Sequence, residues 1–350
     1  MSEPPLRGLD PGRVAPWLRA HVPGAEGELR FELVNAGGSN LTYRVESAAS
    51  GRRFALRRPP ERARVASAHD MGREWKILRA LAEHPEAGVP VPAALGFCGD
   101  VSVLGAEFYV MGFAEGRILR DTAAAADLTP AQARAATDSL VDVNVALHRL
   151  DVDRVGLGDL GRREAYVERQ LARWRRQYEA VASRELPLVD ELHRALAARV
   201  PAQQATSLVH GDYRFDNTVM DPGFRIVAVL DWELATLGDP VADFAWSSMY
   251  WSDPGDEGDF GSPAPTRNPA FPRRRELIEL YAKRSGFDLS ELDYFVAFSW
   301  WKMACLVEGV VARLAAGAGG GLSERGVDLE GTKRRVEQML EHAKTSAERL

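Results

Sequence analysis

HGDYRFDNTVMDPGFRIVAVLD, residues 210–231, is the stretch on which the reading of this chain turns. Asp221-Pro222-Gly223 puts proline and glycine at the two central positions of a tight turn, because proline pre-sets φ and glycine tolerates the corner. The runs on either side, 217–221 and 224–231, read as two strands of a hairpin, with a further short strand at 206–210. The hairpin brings Asn217 and Asp231 back near each other. Asp212 sits in the loop just before the first strand. A carboxylate, an amide and a second carboxylate are thereby gathered at one end of a hairpin, while Asp216 and Asp221 read as turn or surface residues.

Phosphoryl transfer needs such a set. Its loosely bonded transition state asks for positioning and charge neutralisation, with little covalent help. One aspartate, Asp212, orients or deprotonates the attacking hydroxyl. An asparagine and a second aspartate, Asn217 and Asp231, are hard oxygen ligands suited to Mg2+ bridging the phosphates of ATP. Capping or turn closure would explain any one of these residues. The spacing Asp-x-x-x-x-Asn, with an aspartate ending the next strand, matches the catalytic loop and metal acid of the protein-kinase-like fold.

The upstream sequence supports the same chemistry. Residues 30–58 hold three short strand patterns separated by Gly/Ser turns, and 72–81 has apolar residues at helical spacing: Trp75, Leu78 and Leu81, with Ile77 close by. Two further strands follow, in 89–98 and 107–116. The turn after the first strand carries Gly37, Gly38, Ser39 and Asn40, whose backbone N–H groups and Ser39 hydroxyl suit nucleotide phosphates. Arg57 ends the third strand, and Glu74 lies on the helix after it, the order of a phosphate-binding cation and the acid that holds it. Backbone groups around Met111 to Phe113 suit an adenine ring, although methionine and phenylalanine serve a core equally well.

Beyond residue 116 the pattern becomes helical, at 130–150, 162–185, 187–200, 273–285, 290–315 and 323–350. The expected architecture is α+β and two-lobed. A small antiparallel β lobe with one main helix, residues 1–115, binds nucleotide. A larger, mostly helical lobe, residues 116–350, carries the catalytic loop and the hairpin.

Composition narrows the function classes. Lys plus Arg number 44 and Asp plus Glu 50, a formal net charge of −6 over 350 residues, which argues against a nucleic-acid partner. Arginine clusters at 173–176 and 273–275 are candidate anion sites or solvated faces. Cys98 and Cys305 sit among apolar residues and read as buried free thiols, and the seven histidines show no metal-ligand spacing. With no signal peptide and no apolar run of about 18 residues recognised, a cytoplasmic protein without a membrane partner is expected.

LVHGDYRFDNTVMD…VLDWE resembles the aminoglycoside phosphotransferase family, the branch of the kinase-like fold that also holds choline kinases. ALHRLDVDRVGLGDLG (146–161) and LDWELATLGDPVADFAW (230–246) resemble further family segments. FALRRPP and YVERQLARWRRQY (166–178) resemble most closely the kinase-like domain associated with acyl-CoA dehydrogenases. The resemblance spans about residues 25 to 315. It implies Asp212 as catalytic base, Asn217 and Asp231 as magnesium ligands, Ser39 and its neighbours at the phosphates, and Arg57 paired with Glu74. It also implies a loop-supporting role for His210, and that Asp239 and Asp243 fix the segment after the metal strand. The family's usual lysine is here Arg57, a bulkier, forked cation that is not its equivalent.

Three functions compete. The first is an ATP- and Mg2+-dependent kinase of a small-molecule alcohol, with a hydroxy acid or hydroxyacyl-CoA favoured as acceptor. The second is a catalytically inactive nucleotide-binding or scaffold protein, and the third an aminoglycoside kinase. The expected acceptor wall, 246–301, is rich in aromatics (Trp246, Tyr250, Trp251, Trp300, Trp301). The oligomeric state is not legible.

Overall fold

The computed structural model describes residues 6–36, 40–60, 70–254, 256, 264–317 and 327–350. In chain order the elements are α1 (Pro11–His21), β1 (Leu29–Ala36), β2 (Leu41–Ser47), β3 (Arg53–Arg58), α2 (Met71–Glu83), β4 (Ala94–Cys98), α3 (Val101–Leu104) and β5 (Phe108–Gly112). There follow α4 (Pro130–His148), α5 (Tyr166–Val181), α6 (Pro187–Ala198), β6 (Ser207–Val209), β7 (Thr218–Met220), β8 (Ile226–Val229) and β9 (Thr236–Gly238). The chain ends with α7 (Pro240–Met249), α8 (Arg274–Ser285), α9 (Leu292–Ala315) and α10 (Leu329–Ala347).

The chain forms two compact units and passes between them more than once. The first comprises Met1–Arg117, Val152–Leu160 and Asn217–Ala235, and the second Ile118–Asp151, Gly161–Asp216 and Thr236–Leu350. A single cut near residue 115 does not describe this arrangement, because the β7–β8 hairpin belongs by its contacts to the first unit.

In the first unit five antiparallel strands run in the order β1-β2-β3-β5-β4. Strand alternation gives the sheet two buried faces. Leu41, Tyr43, Val45, Phe54, Leu56, Phe108 and Val110 pack with Val14 and Leu18 of α1 on one face. Ala55, Tyr109 and Met111 pack with Met71 and Leu78 of α2 on the other. Arg57 follows Ala55 by two residues and so shares the α2 face, in register with Tyr109. Asp70 caps α2 by accepting the Arg73 N–H at 2.9 Å. The Arg73 guanidinium then ties α2 to the Leu160 and Ala235 carbonyls at 2.8 and 3.0 Å.

The hairpin forms as its turn chemistry requires. The Phe224 N–H bonds the Asp221 carbonyl at 2.9 Å, so Pro222 and Gly223 occupy the centre, and Phe224 takes a left-handed φ of 60°. The strands are shorter than the sequence reading, 218–220 and 226–229, because residues near both ends leave the ladder. Gly116, at φ +154°, lies against this hairpin, and a Cβ there would meet the Met220 carbonyl oxygen at 2.3 Å.

The second unit is helical apart from the β6–β9 pair. Its core centres on α9, whose Tyr294, Phe295, Trp301 and Cys305 are buried against α5, α7 and α10. By length and composition α9 could cross a membrane, a long apolar run the sequence reading missed because Lys302 and Glu308 interrupt it. Yet 67% of its most apolar window is buried within the protein. Cys98 and Cys305 are buried free thiols, as expected.

Candidate active site

In the first unit a buried polar network surrounds Arg57. Arg57 is 6% exposed and Glu74 2%. Arg57 Nε lies 3.0 Å from Glu74 Oε2, without the straight alignment of a hydrogen bond. A terminal guanidinium nitrogen bonds Asp231 Oδ1 and lies 3.6 Å from Glu233 Oε2. Glu74 also accepts the Asn40 amide at 3.0 Å and the Tyr109 hydroxyl at 2.9 Å. The same Asn40 amide reaches Glu233 Oε2 at 3.1 Å.

One guanidinium therefore faces three carboxyl groups. Burial works against the Arg57 charge, but Tyr109, Glu74, Asp231 and Glu233 more than reverse this and hold it above its ordinary range. For Glu74 burial dominates, opposed by Arg57 and the Tyr109 and Asn40 hydrogen bonds and reinforced by Asp231, so its carboxyl lies above the usual range. The two directions agree once the cluster is counted whole, since an excess of acid over base favours both the retained cation and a reluctant carboxylate. A site with surplus negative charge is suited to gain a cation. Among the described residues, Asn40 Oδ1 is buried without a hydrogen-bond partner.

Asn217 and Asp231 are brought together by the hairpin. The Leu230 N–H bonds the Asn217 carbonyl at 2.8 Å, so the residue before Asp231 is tied to Asn217. Asp231 lies beyond the end of β8 with φ 67° and ψ 64°. Aspartate tolerates this left-handed conformation better than most residues do. The bend sends Trp232 inward, where its indole N–H bonds the Val229 carbonyl at 3.2 Å, and leaves the Glu233 carboxylate toward Arg57.

In the second unit the Asp212 loop is held from beneath. Asp243 Oδ2 accepts the His210 N–H at 3.0 Å and Oδ1 the Gly211 N–H at 2.8 Å. Gly211 has φ +82°, which glycine adopts without strain. Asp243 also lies 3.0 Å from His148 Nε2, and His148 Nδ1 meets the Tyr281 hydroxyl at 2.6 Å. Burial alone would raise the Asp243 carboxyl, but His148, His210 and the Gly211 N–H outweigh it and hold it below the usual range. His210 Nδ1 accepts the Asp212 N–H at 3.3 Å, the supporting role expected of it.

Asp212 itself projects among aromatic and cationic groups. Its carboxylate accepts from Arg214 Nε at 3.2 Å and lies 3.5 Å from the Trp246 indole nitrogen. Tyr250 is hydrogen-bonded to it as well, and burial followed by the Asp212 charge raises the Tyr250 phenol far above its normal range. The Arg214 guanidinium lies 4.9 Å over the Tyr250 ring. Arg214 and Tyr250 also line an apolar cavity with Leu140, Val141, Phe215, Phe244 and Trp251.

The residues singled out from sequence fall into four groups. Asn40, Arg57, Glu74 and Asp231 share one network, with Asn217 tethered beside Asp231, and Asp212 heads a separate cluster in the second unit. Gly37, Gly38 and Ser39 lie outside the described residues. Met111 is in the core beneath α2, with Phe113 packed against it. The Gly112 and Phe113 N–H groups bond the Ala93 and Arg53 carbonyls at 2.8 and 3.2 Å.

Sequence reasoning missed Glu233, Tyr109, Arg214 and the reach of Asp243, which grips residues 210 and 211 as well as standing in its own segment. Asp239 caps α7, accepting the Val241 and Ala242 N–H groups at 2.8 and 3.2 Å. Of the aromatic wall, Trp301 is core, bonding the Val189 carbonyl at 3.0 Å, whereas Trp246, Tyr250 and Trp251 border the Asp212 cluster or its cavity.

This arrangement has relatives. Residues 30–287 match the model of the phosphotransferase enzyme family, APH. The chain belongs to that family. The APH chain is 32% identical to a candidate aminoglycoside phosphotransferase from Ralstonia eutropha JMP134, with a TM-score of 0.81 over 97% of this chain and 98% of that one. Choline kinase from Cryptosporidium parvum Iowa II shares the fold alone, at 13% identity and TM-score 0.66 over 97% of each chain. The protein-kinase-like fold expected from sequence is thus the fold of this APH chain. Acyl-CoA dehydrogenase family member 11 of Gallus gallus is 36% identical over 323 residues, covering 88% of this chain. The APH chain spans about 40% of the length of that relative.

Proposed function

We propose that this phosphotransferase transfers the γ-phosphoryl group of ATP to a hydroxyl of a small acyl-bearing molecule, a hydroxy acid or a hydroxyacyl-CoA. The observation that carries this reading is the Asp212 cluster: a carboxylate fixed by its loop, flanked by Arg214 and Tyr250, with an apolar cavity beside them. Asp212 accepts the proton of the acceptor hydroxyl as its oxygen bonds to the γ-phosphorus and ADP departs. Asn217 and Asp231 offer two hard oxygen donors for magnesium, which when bound neutralises phosphate charge. Two protein ligands, completed by phosphate and water oxygens, is a usual magnesium arrangement. Arg57, held by Glu74, turns its fork to the phosphates. A cytoplasmic location, where ATP and magnesium are abundant, belongs to the same proposal, as does a small-molecule partner in place of nucleic acid or membrane.

An ATP-consumption screen over hydroxy acids, hydroxyacyl-CoAs, choline-like amines, sugars and aminoglycosides tests it. Turnover confined to acyl-bearing alcohols is expected. Turnover confined to aminoglycosides would overturn the acceptor class, and Mg-ATP binding without turnover on any acceptor would favour a scaffold.

A further inference from the structure

Lys302, on α9, is a buried cation that the mechanism leaves unused. The residue is 9% exposed. Its ammonium lies 4.0 Å from the Trp246 ring centroid and 5.7 Å from that of Trp174. Among the described residues it makes no hydrogen bond or ion pair. Burial pushes it down to about 8, with Asp243 and Asp212 pulling the other way and Arg173 adding to the fall. Two ring faces satisfy such an ion only in part, since an ammonium carries three donors and desolvation is costly. If packing were the only task, methionine would fill the place at lower cost.

The position of the charge gives it a use. Trp246 is shared: its indole nitrogen faces Asp212 Oδ1 at 3.5 Å, and its ring face carries Lys302. One indole therefore separates the ammonium from the carboxylate at which the acceptor hydroxyl would sit. Arg173 lies 5.5 Å over the Trp174 ring and adds a second cation on this side. Tyr250 and Arg214, which also contact Asp212, line the apolar cavity.

We propose that Lys302 is a specificity-determining residue whose ammonium takes an acyl oxygen of the acceptor while the acceptor hydroxyl rests at Asp212. The proposal builds on the function given above. It describes an acceptor whose hydroxyl lies between an acyl group, on the lysine side, and an apolar tail, on the cavity side. Cationic alcohols are disfavoured by the same charge. The acyl oxygen belongs either to a free carboxylate or to a thioester, since both accept from an ammonium and the carboxylate more strongly.

The test is calorimetric titration of 3-hydroxyhexanoate, its CoA thioester and 1,3-hexanediol into wild type and Lys302→Met, with a non-hydrolysable ATP analogue and magnesium present. Lys302→Met is expected to weaken the acyl probes about ten- to a hundredfold and the diol little. A larger loss for the free acid assigns the oxygen to a carboxylate, and a larger loss for the thioester assigns it there. Should Lys302→Met fail to fold, Lys302→Arg keeps the charge and is expected to retain part of the acyl binding and to reject the amino alcohol 6-amino-3-hexanol. Equal losses for acid and diol, unchanged acid affinity, absence of acyl binding to wild type, or tight binding of the amino alcohol by Lys302→Arg would each overturn the proposal. Lys302-dependent acyl binding without phosphorylation would leave the lysine assignment standing and remove the kinase reading, so the two fail separately.

Discussion

At the scale of single residues, Asp212 and Arg57 make opposite demands. Asp212 is partly exposed, and asparagine keeps a carbonyl acceptor at its place, so Asp212→Asn is expected to fold normally. Turnover on the true acceptor should fall about 10²–10⁴-fold, with Mg-ATP affinity by calorimetry nearly unchanged. Arg57 is also a structural group. Arg57→Ala leaves Glu74 buried without its cation, which is expected to cost about 3–5 kcal/mol in urea unfolding as well as raising the Michaelis constant for ATP. Arg57→Lys restores the charge without the fork and should recover part of both. The spacing of Asp212, Asn217 and Asp231, and the order of Arg57 and Glu74, were legible because chain order alone carries them. Glu233 and Tyr109 were not. Glu233 arrives through the left-handed bend at Asp231, and Tyr109 through the register of β3 on β5, and neither is a local property of sequence.

Among the elements, the strands and long helices were readable from their alternation and period, whereas α7 was not. Its residues from Pro240 to Met249 are buried except Ser247, so it has no polar face to reveal a helical period. Yet α7 carries Asp243, which holds the Asp212 loop. Asp243→Asn keeps one carbonyl acceptor for two N–H donors and turns an amide toward them. Turnover is expected to drop at least tenfold with little change in Mg-ATP affinity, and stability by about 2–3 kcal/mol. The pH dependence has a definite sign. The folded Asp243 carboxyl titrates below an unfolded aspartate, so its stabilisation is complete above the ordinary carboxylate range and is lost as pH falls through the depressed value. Acid unfolding of wild type and Asp243→Asn, followed by circular dichroism, should therefore converge at low pH.

Taken whole, the molecule returns to its first unit twice after leaving it, for Val152–Leu160 and for Asn217–Ala235. A sequence reading that seeks one boundary finds the change from strands to helices near Gly116 and has no means of seeing those returns, because they depend on contacts far apart in the chain. The expected consequence is that ligand binding at Arg57 and Asp231 stabilises segments from three parts of the sequence together. Mg-ATP at about a hundred times its dissociation constant should add about 2.7 kcal/mol, read as a rise in melting temperature. Hydrogen exchange should slow in β3, α2 and the β7–β8 hairpin alike, and chelation of the metal should remove the effect.

The bond between Arg57 and Asp231 has one more consequence, for the order in which solutes are taken up. A divalent ion arriving alone meets a carboxylate already matched by a guanidinium and must compete for it. On the proposed function, a triphosphate would offer that guanidinium a stronger counter-anion and release Asp231. Metal and nucleotide would then be heterotropic partners, each raising the other's affinity by the same factor. Titration of magnesium with and without ADP should show that synergy, and Arg57→Ala should abolish it.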